Sequence, residues 1–253
     1  MSGPGERPLV FHSPFPVERD RVTGSRVRPE AMLRAFEAIG VPVWRCDGTS
    51  TERARAWRGI LASEQEVLGI YSELWTVPIA LADRDRLPRH PFMDFSRFLQ
   101  ARRRGWPVAA YYRDIHWRFP FYRERMPWWQ HAVTVPLYHL EWARLRRSID
   151  HLFLPSAEMF EHFPAGFARE RVSGLPPGVT IRDGSRCVEP VRGTVRVLYV
   201  GGIRPPIYDL RTTLRDLAGL FNRRLLEAAL SDAGTSTVDG EVANLYRLLT
   251  DDG

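Results

Sequence analysis

The sequence predicts an α/β protein: a Rossmann-like, doubly wound parallel sheet over residues 1–187, followed over 188–253 by the beginning of a second, incomplete α/β domain. Three observations predict it. Short apolar runs of strand length alternate with segments of helical period from Leu9 to Phe163. Between Pro177 and Gly193 the alternation lapses into Gly, Pro, Asp, Ser and charged residues, which is linker chemistry. Beyond it, VRVLYV is a β-branched, apolar run that ends in Gly201-Gly202 and starts a new strand.

Taken in order, Leu9 to His12 reads as a short buried strand, and SPFPVERDRVTGS as a polar loop. In RVRPEAMLRAFEAIG, residues Met32, Leu33, Phe36 and Ile39 fall at helical spacing, and Gly40 is a suitable stop. Val41 to Trp44 is a second strand. Ser50 to Val67 is a second helix, opened by a Ser/Thr cap and carrying Ala54, Trp57, Leu61 and Val67 on one side. Leu68 to Tyr71 and Val108 to Tyr112 are strands three and four, with a helix from Asp94 to Arg104 between them. A long helix from Trp128 to Ile149 is kinked or restarted by Pro136, and His151 to Leu154 and Ala157 to Phe163 form one more strand and helix. In the tail, Leu210 to Leu230 is helical in pattern.

All 36 Lys+Arg residues are arginine. The absence of lysine excludes Schiff-base catalysis and the lysine-bearing phosphate loop, and leaves arginine to bind anions. Cys46 and Cys187 have neither zinc-ligand spacing nor the number needed for a disulfide framework, which fits a reducing compartment. No secretory leader and no transmembrane run is read, so the expected location is cytoplasmic, or peripheral at the inner face of the cell membrane. Residues 97–147 hold eleven arginines against Asp114, Glu124 and Glu141, interleaved with Trp106, Trp117, Trp128, Trp129 and Trp142. A solvated basic face over an aromatic core, an anionic membrane surface and a nucleic-acid groove are the three readings of such a window. No nucleic-acid partner is expected, because no reader motif accompanies the charge.

In an open α/β sheet, ligands bind outside the carboxyl ends of the strands, so chemistry is sought in the loops there. Gly24, Ser25, Arg26 and Arg28 combine flexible backbone, a hydroxyl, helix-terminal amides and guanidinium groups, which suits a phosphate or sugar cradle as well as a plain helix cap. Glu73 ends the LGIY strand as a candidate base or sugar ligand, or as a solvated loop acid. Arg113, Asp114 and His116 follow VAAYY and form the densest candidate site, although an Arg-Asp pair is also a common structural feature. Gly201 and Gly202 let backbone amides approach an anion. The D-x-D at Asp83-Arg84-Asp85 follows a helical-looking segment and is flanked by arginines that oppose cation binding, so no metal is expected.

The blocks RVTGSRVRPEAMLRAFEAIG, IYSELWTVPIAL, DRLPRHPFMDF, YYRDIHWRFP, HLFLPS, LPPG and LYVGGIRPPIYDL together resemble the N-terminal half of bacterial GT-B glycosyltransferases of the polysaccharide-biosynthesis type, across roughly residues 9–215. The resemblance implies two facing Rossmann-like domains and metal-free transfer of a sugar from a nucleotide-sugar to a glycan or lipid-linked acceptor. By position, it assigns Gly24, Ser25, Arg26, Arg28, Glu73 and His116 to the acceptor, Arg113 and Asp114 to catalysis, and Gly201 and Gly202 to the donor diphosphate. After YDLRTTLRDLAGLF the tail RRLLEAALSDAGTSTVDGEVANLYRLLTDDG departs from that family, so the resemblance implies a truncated enzyme or one completed by a donor-domain partner. The alternative is a non-catalytic acceptor-binding or scaffolding subunit.

Overall fold

A computed structural model describes residues 7–18, 24–124, 126–176, 195–199 and 226–230. The chain forms two compact units, Met1–Val179 and Thr180–Gly253. In the first, β1 (Leu9–Ser13), β2 (Val43–Asp47), β3 (Gly69–Glu73), β4 (Val108–Tyr111), β5 (His151–Leu154) and β6 (Val172–Gly174) form one sheet in the order β2-β1-β3-β4-β5-β6. Every pairing is parallel. This is the α/β, doubly wound architecture that the alternation predicts. The order reverses at β1, which lies between β2 and β3, and this reversal opens a crevice at the carboxyl ends of β1 and β3.

Alternate residues of each strand feed two cores, as the period of two requires. Leu9 and Phe11 of β1, Tyr71 of β3 and Tyr111 of β4 pack with Leu33, Met32 and Phe36 of α1 (Gly24–Ala38). Val10, Ile70, Val108, Ala110, Leu152 and Leu154 point the other way. They meet Trp57 and Ile60 of α2 (Ser50–Ala62), Phe95 and Phe98 of α3 (Met93–Arg103), and Trp142 and Leu145 of α5 (Trp128–Ser148). A short helix α4 (Pro120–Glu124) precedes α5.

Several local outcomes differ from the sequence expectation. Helix α1 stops at Ala38, and Gly40 takes φ +76° while Val41 N–H donates to Phe36 O. Ile39 therefore lies beyond the last helical turn and is 71% exposed instead of facing the core. Helix α2 ends at Ala62 because Ser63 is extended at ψ 138°, and its buried side is Ser50, Arg53, Trp57 and Ile60. Residues Ala157–His162 form a 3-10 helix rather than an α-helix. Helix α5 runs through Pro136. In the second unit, β7 (Val195–Tyr199) pairs in parallel with β8 (Leu226–Leu230), so LEAAL is a strand where helix was expected. No helix of the described residues is long and apolar enough to cross a membrane.

The start of α2 carries a full capping box. Thr49 accepts from Glu52 N–H and Glu52 accepts from Thr49 N–H, which satisfies two otherwise orphan donors. Thr49→Ala is expected to lower the unfolding free energy by about 1 kcal/mol. Urea denaturation checks this, and an unchanged midpoint would show that the cap is dispensable.

Candidate functional site

The crevice at the sheet's order reversal is a small cleft, open to solvent and lined by Ser13, Phe15, Arg28, Glu73, Trp75 and Arg113 among others. The strands bring these residues together. Ser13 ends β1, Glu73 ends β3 opposite Tyr111 of β4, and Arg113 follows β4. Tyr71 and Glu73 are two apart on one strand and share a face, so the Tyr71 hydroxyl donates to Glu73 Oε1 at 2.6 Å. Arg28 reaches in from α1, with Nε 3.3 Å from Glu73 Oε1, Nη2 donating to the Tyr71 hydroxyl at 3.3 Å, and Cζ 3.5 Å above the Tyr111 ring.

Electrostatics follow from this packing. Burial raises the Glu73 carboxyl above its ordinary range, and the Tyr71 bond, Arg28 and Arg113 only partly offset that. Burial also works against the Arg28 charge, but Glu73, Tyr71 and Tyr111 outweigh it and the guanidinium is held more firmly charged. The loop from β1 into the cleft is fastened to β2. Val17 N–H donates to Asp47 Oδ2 at 2.8 Å, and Arg45 Nη2 donates to Val17 O at 2.8 Å.

The sequence-predicted residues divide between places. Arg28, Glu73 and Arg113 meet in the cleft. Asp114 and His116 are not among its lining residues and form an adjoining cluster. There Asp114 Oδ2 accepts from Thr76 Oγ1 at 2.8 Å, and Oδ1 is bonded to His116 Nδ1. Burial opposes the Asp114 charge, yet the His116 and Thr76 bonds with nearby Arg113 hold the carboxyl below its usual range. Gly24, Ser25 and Arg26 start α1, and their side chains lie outside the described residues, as do Gly201 and Gly202 entirely. In the D-x-D, Asp83 accepts from Ser50 N–H at 2.8 Å and Ser50 Oγ at 2.6 Å, while Asp85 pairs with Arg89. No group of three or more His, Cys, Asp or Glu suited to a metal occurs among the described residues.

Sequence reasoning missed two features. Trp75 and Phe15 wall the cleft edge to face, and the only sequence signal was an aromatic residue within two positions of each strand end. Behind the cleft, on the opposite face of β1, lies a buried polar network. His12 Nδ1 is 2.7 Å from Ser72 Oγ, and His12 Nε2 is 3.2 Å from Asp94 Oδ1. Asp94 also takes Arg53 Nη2 at 3.0 Å and Trp57 Nε1 at 2.9 Å. Arg53 Nη1 donates to the carbonyls of Pro14 and Gly48 at 3.1 and 2.6 Å, which ties the cleft loop to α2.

Comparison with known proteins does not support the enzymatic resemblance. The family model that matches is Rod-determining factor A, over residues 208–253. Rod-determining factor A of Haloferax volcanii is 55% identical over 40 residues, which are 16% of this chain and 19% of that protein, so the match spans about a fifth of the relative's length. These matches overturn the glycosyltransferase resemblance, and with it the GT-B assignment, the nucleotide-sugar transfer and the role in polysaccharide biosynthesis. The match takes in YDLRTTLRDLAGLF, the last stretch that followed the glycosyltransferase pattern, together with the tail that departed from it. The strand-end loops misled for a physical reason: glycine, arginine and carboxylates gather at the carboxyl edge of doubly wound sheets of many functions, so they report architecture and not reaction.

Proposed function

We propose that this chain is a non-catalytic binding and scaffolding subunit that works in rod determination on the cytoplasmic side of the cell membrane. The observation that carries this reading is the 55% identity over 40 residues to Rod-determining factor A, joined in one chain to an α/β domain with an open cleft. The cleft chemistry supports holding a ligand over transforming one. A general base needs an oxygen placed to take a substrate proton. Both oxygens of Asp114 are instead engaged, by Thr76 and His116, and Glu73 Oε1 is held by Tyr71 and Arg28. Guanidinium groups beside an indole platform suit a polar or anionic ligand.

The test places a photoreactive residue within 208–253 of the full chain, expressed in Haloferax volcanii. Cross-linking is expected to recover a partner that the resident Rod-determining factor A also recovers. If replicate experiments share no partner between the two proteins, the reading is wrong.

A further inference from the structure

Helix α5 is built in two halves. Its second half is core, with Tyr138, Glu141, Trp142, Leu145 and Ser148 buried. Its first half leaves an apolar stripe in solvent: Trp128 is 82% exposed, Trp129 55% and Val133 54%, with Ala132 and Pro136 also exposed. Positions 129, 132, 133 and 136 follow the i, i+3, i+4, i+7 rule, so they share one face of the helix. Phe119, just before α4, is a further exposed ring.

The charge beside this stripe has one sign. From Ile115 to Pro136 the sequence carries Arg118, Arg123 and Arg125 against Glu124 alone. Arg118 and Arg123 are exposed. The other three tryptophans of the basic window, Trp106, Trp117 and Trp142, are buried, so the exposed tryptophans of that window both stand at the start of α5. Arg102 does not belong to it. It bonds Asp150 at 2.8 Å and the Arg147 carbonyl at 2.7 Å, near the far end of a helix about 30 Å long.

We propose that the exposed start of α5, with α4, is a membrane-contact surface that seats Trp128, Trp129 and Val133 at the headgroup level of an anionic lipid bilayer while Arg118 and Arg123 pair with lipid phosphates. Indole rings settle at that depth because one edge is apolar and the N–H stays hydrated, and guanidinium forms paired bonds to phosphate. The charge selects an anionic surface over a neutral one. Tyr138, midway along α5, bonds the carbonyl of Thr76 just beyond the end of β3, and Tyr122 of α4 packs on His116 beyond β4, so the exposed first half of α5 lies on the carboxyl side of the sheet. The same surface therefore brings the cleft end of the domain to the bilayer. This inference is independent of the match in residues 208–253.

Co-flotation of the full chain with vesicles of phosphatidylglycerol and phosphatidylcholine, against phosphatidylcholine alone, tests it. Binding to the anionic vesicles is expected, with quenching of tryptophan emission by brominated acyl chains. The double variant Trp128→Ala/Trp129→Ala should bind at least tenfold more weakly, lose the quenching and keep its melting temperature, because both rings lie outside the core. Arg118→Gln/Arg123→Gln should weaken binding and flatten its salt dependence. Three results overturn the proposal: no binding to anionic vesicles, equal binding by the tryptophan variant, or self-association of the chain that the tryptophan variant abolishes, which would make the stripe a contact between copies.

Discussion

Replacing Arg53 by methionine is expected to lower the unfolding free energy by about 3–5 kcal/mol, the range for removing one partner of a buried ion pair. The guanidinium is 1% exposed and the Asp94 carboxylate 0%, so neither recovers hydration when the other is lost. Methionine fills most of the volume but offers nothing to Asp94 or to the carbonyls of Pro14 and Gly48, so one charge and two backbone acceptors lose donors together. The double variant Arg53→Met/Asp94→Asn should cost less than the two single losses combined, because it removes the stranded charge. Complete burial opposes ionisation of Asp94, yet His12 and Arg53 outweigh it and hold the carboxyl well below its ordinary range. Its contribution is therefore present above about pH 4 and is lost as pH falls through the lowered value. Guanidinium chloride denaturation at pH 7 reads the effect, and a loss under about 1 kcal/mol would show that the network is not the keystone of the α2–α3 face.

The second large effect has the opposite pH sign. Glu141 of α5 is buried, accepts from Ile79 N–H at 2.6 Å and from the Tyr112 hydroxyl at 3.2 Å, and faces no cationic partner among these contacts. Burial pushes its carboxyl up to about 7 from an ordinary 4.5, with the two bonds giving only partial relief. Between those values the folded chain keeps a proton that the unfolded chain has released. Its contribution is therefore full below about pH 4.5 and falls as pH rises through about 7, by about 3 kcal/mol in all. Glu141→Gln keeps an acceptor for Ile79 and presents an N–H₂ to the Tyr112 oxygen. The variant should match the wild type near pH 5, exceed it near pH 8, and lose the slope between. Parallel denaturation series at pH 5, 6, 7 and 8 decide it, and two chains with the same slope would remove Glu141 as its source.

The strands that could be read directly were short apolar runs. LVFH and LGIY are buried on both faces, VAAY nearly so, and HLFL fully buries only alternate residues; length alone separates them from helices. The three-residue β6 had no such signal, and LEAAL shows the converse. Its alanines and leucines favour a helix locally, but pairing with VRVLY decides its state. The cleft was half legible. Strand-end positions pointed to Arg28, Glu73 and Arg113, since the carboxyl edge of such a sheet is where loops converge. Nothing in the linear order separated Asp114 from them, because its engagement with Thr76 arises from a contact 38 residues distant.

By itself the sequence determined the class of fold, a sheet covered by helices and the edge where the cleft lies, since periodicity and strand-end position are local properties. The tertiary structure alone decided which charged groups are interior. Arg53 and Asp94 look like surface residues on amphipathic helices and meet only because α2 and α3 pack side by side on one face of the sheet. It also decided which aromatic residues remain in water. Trp142 and Trp129 stand on one helix with similar neighbours, yet one is 3% exposed and the other 55%. The difference is physical: composition specifies how much apolar surface a segment carries, and only the placement of other elements specifies which part of it is covered.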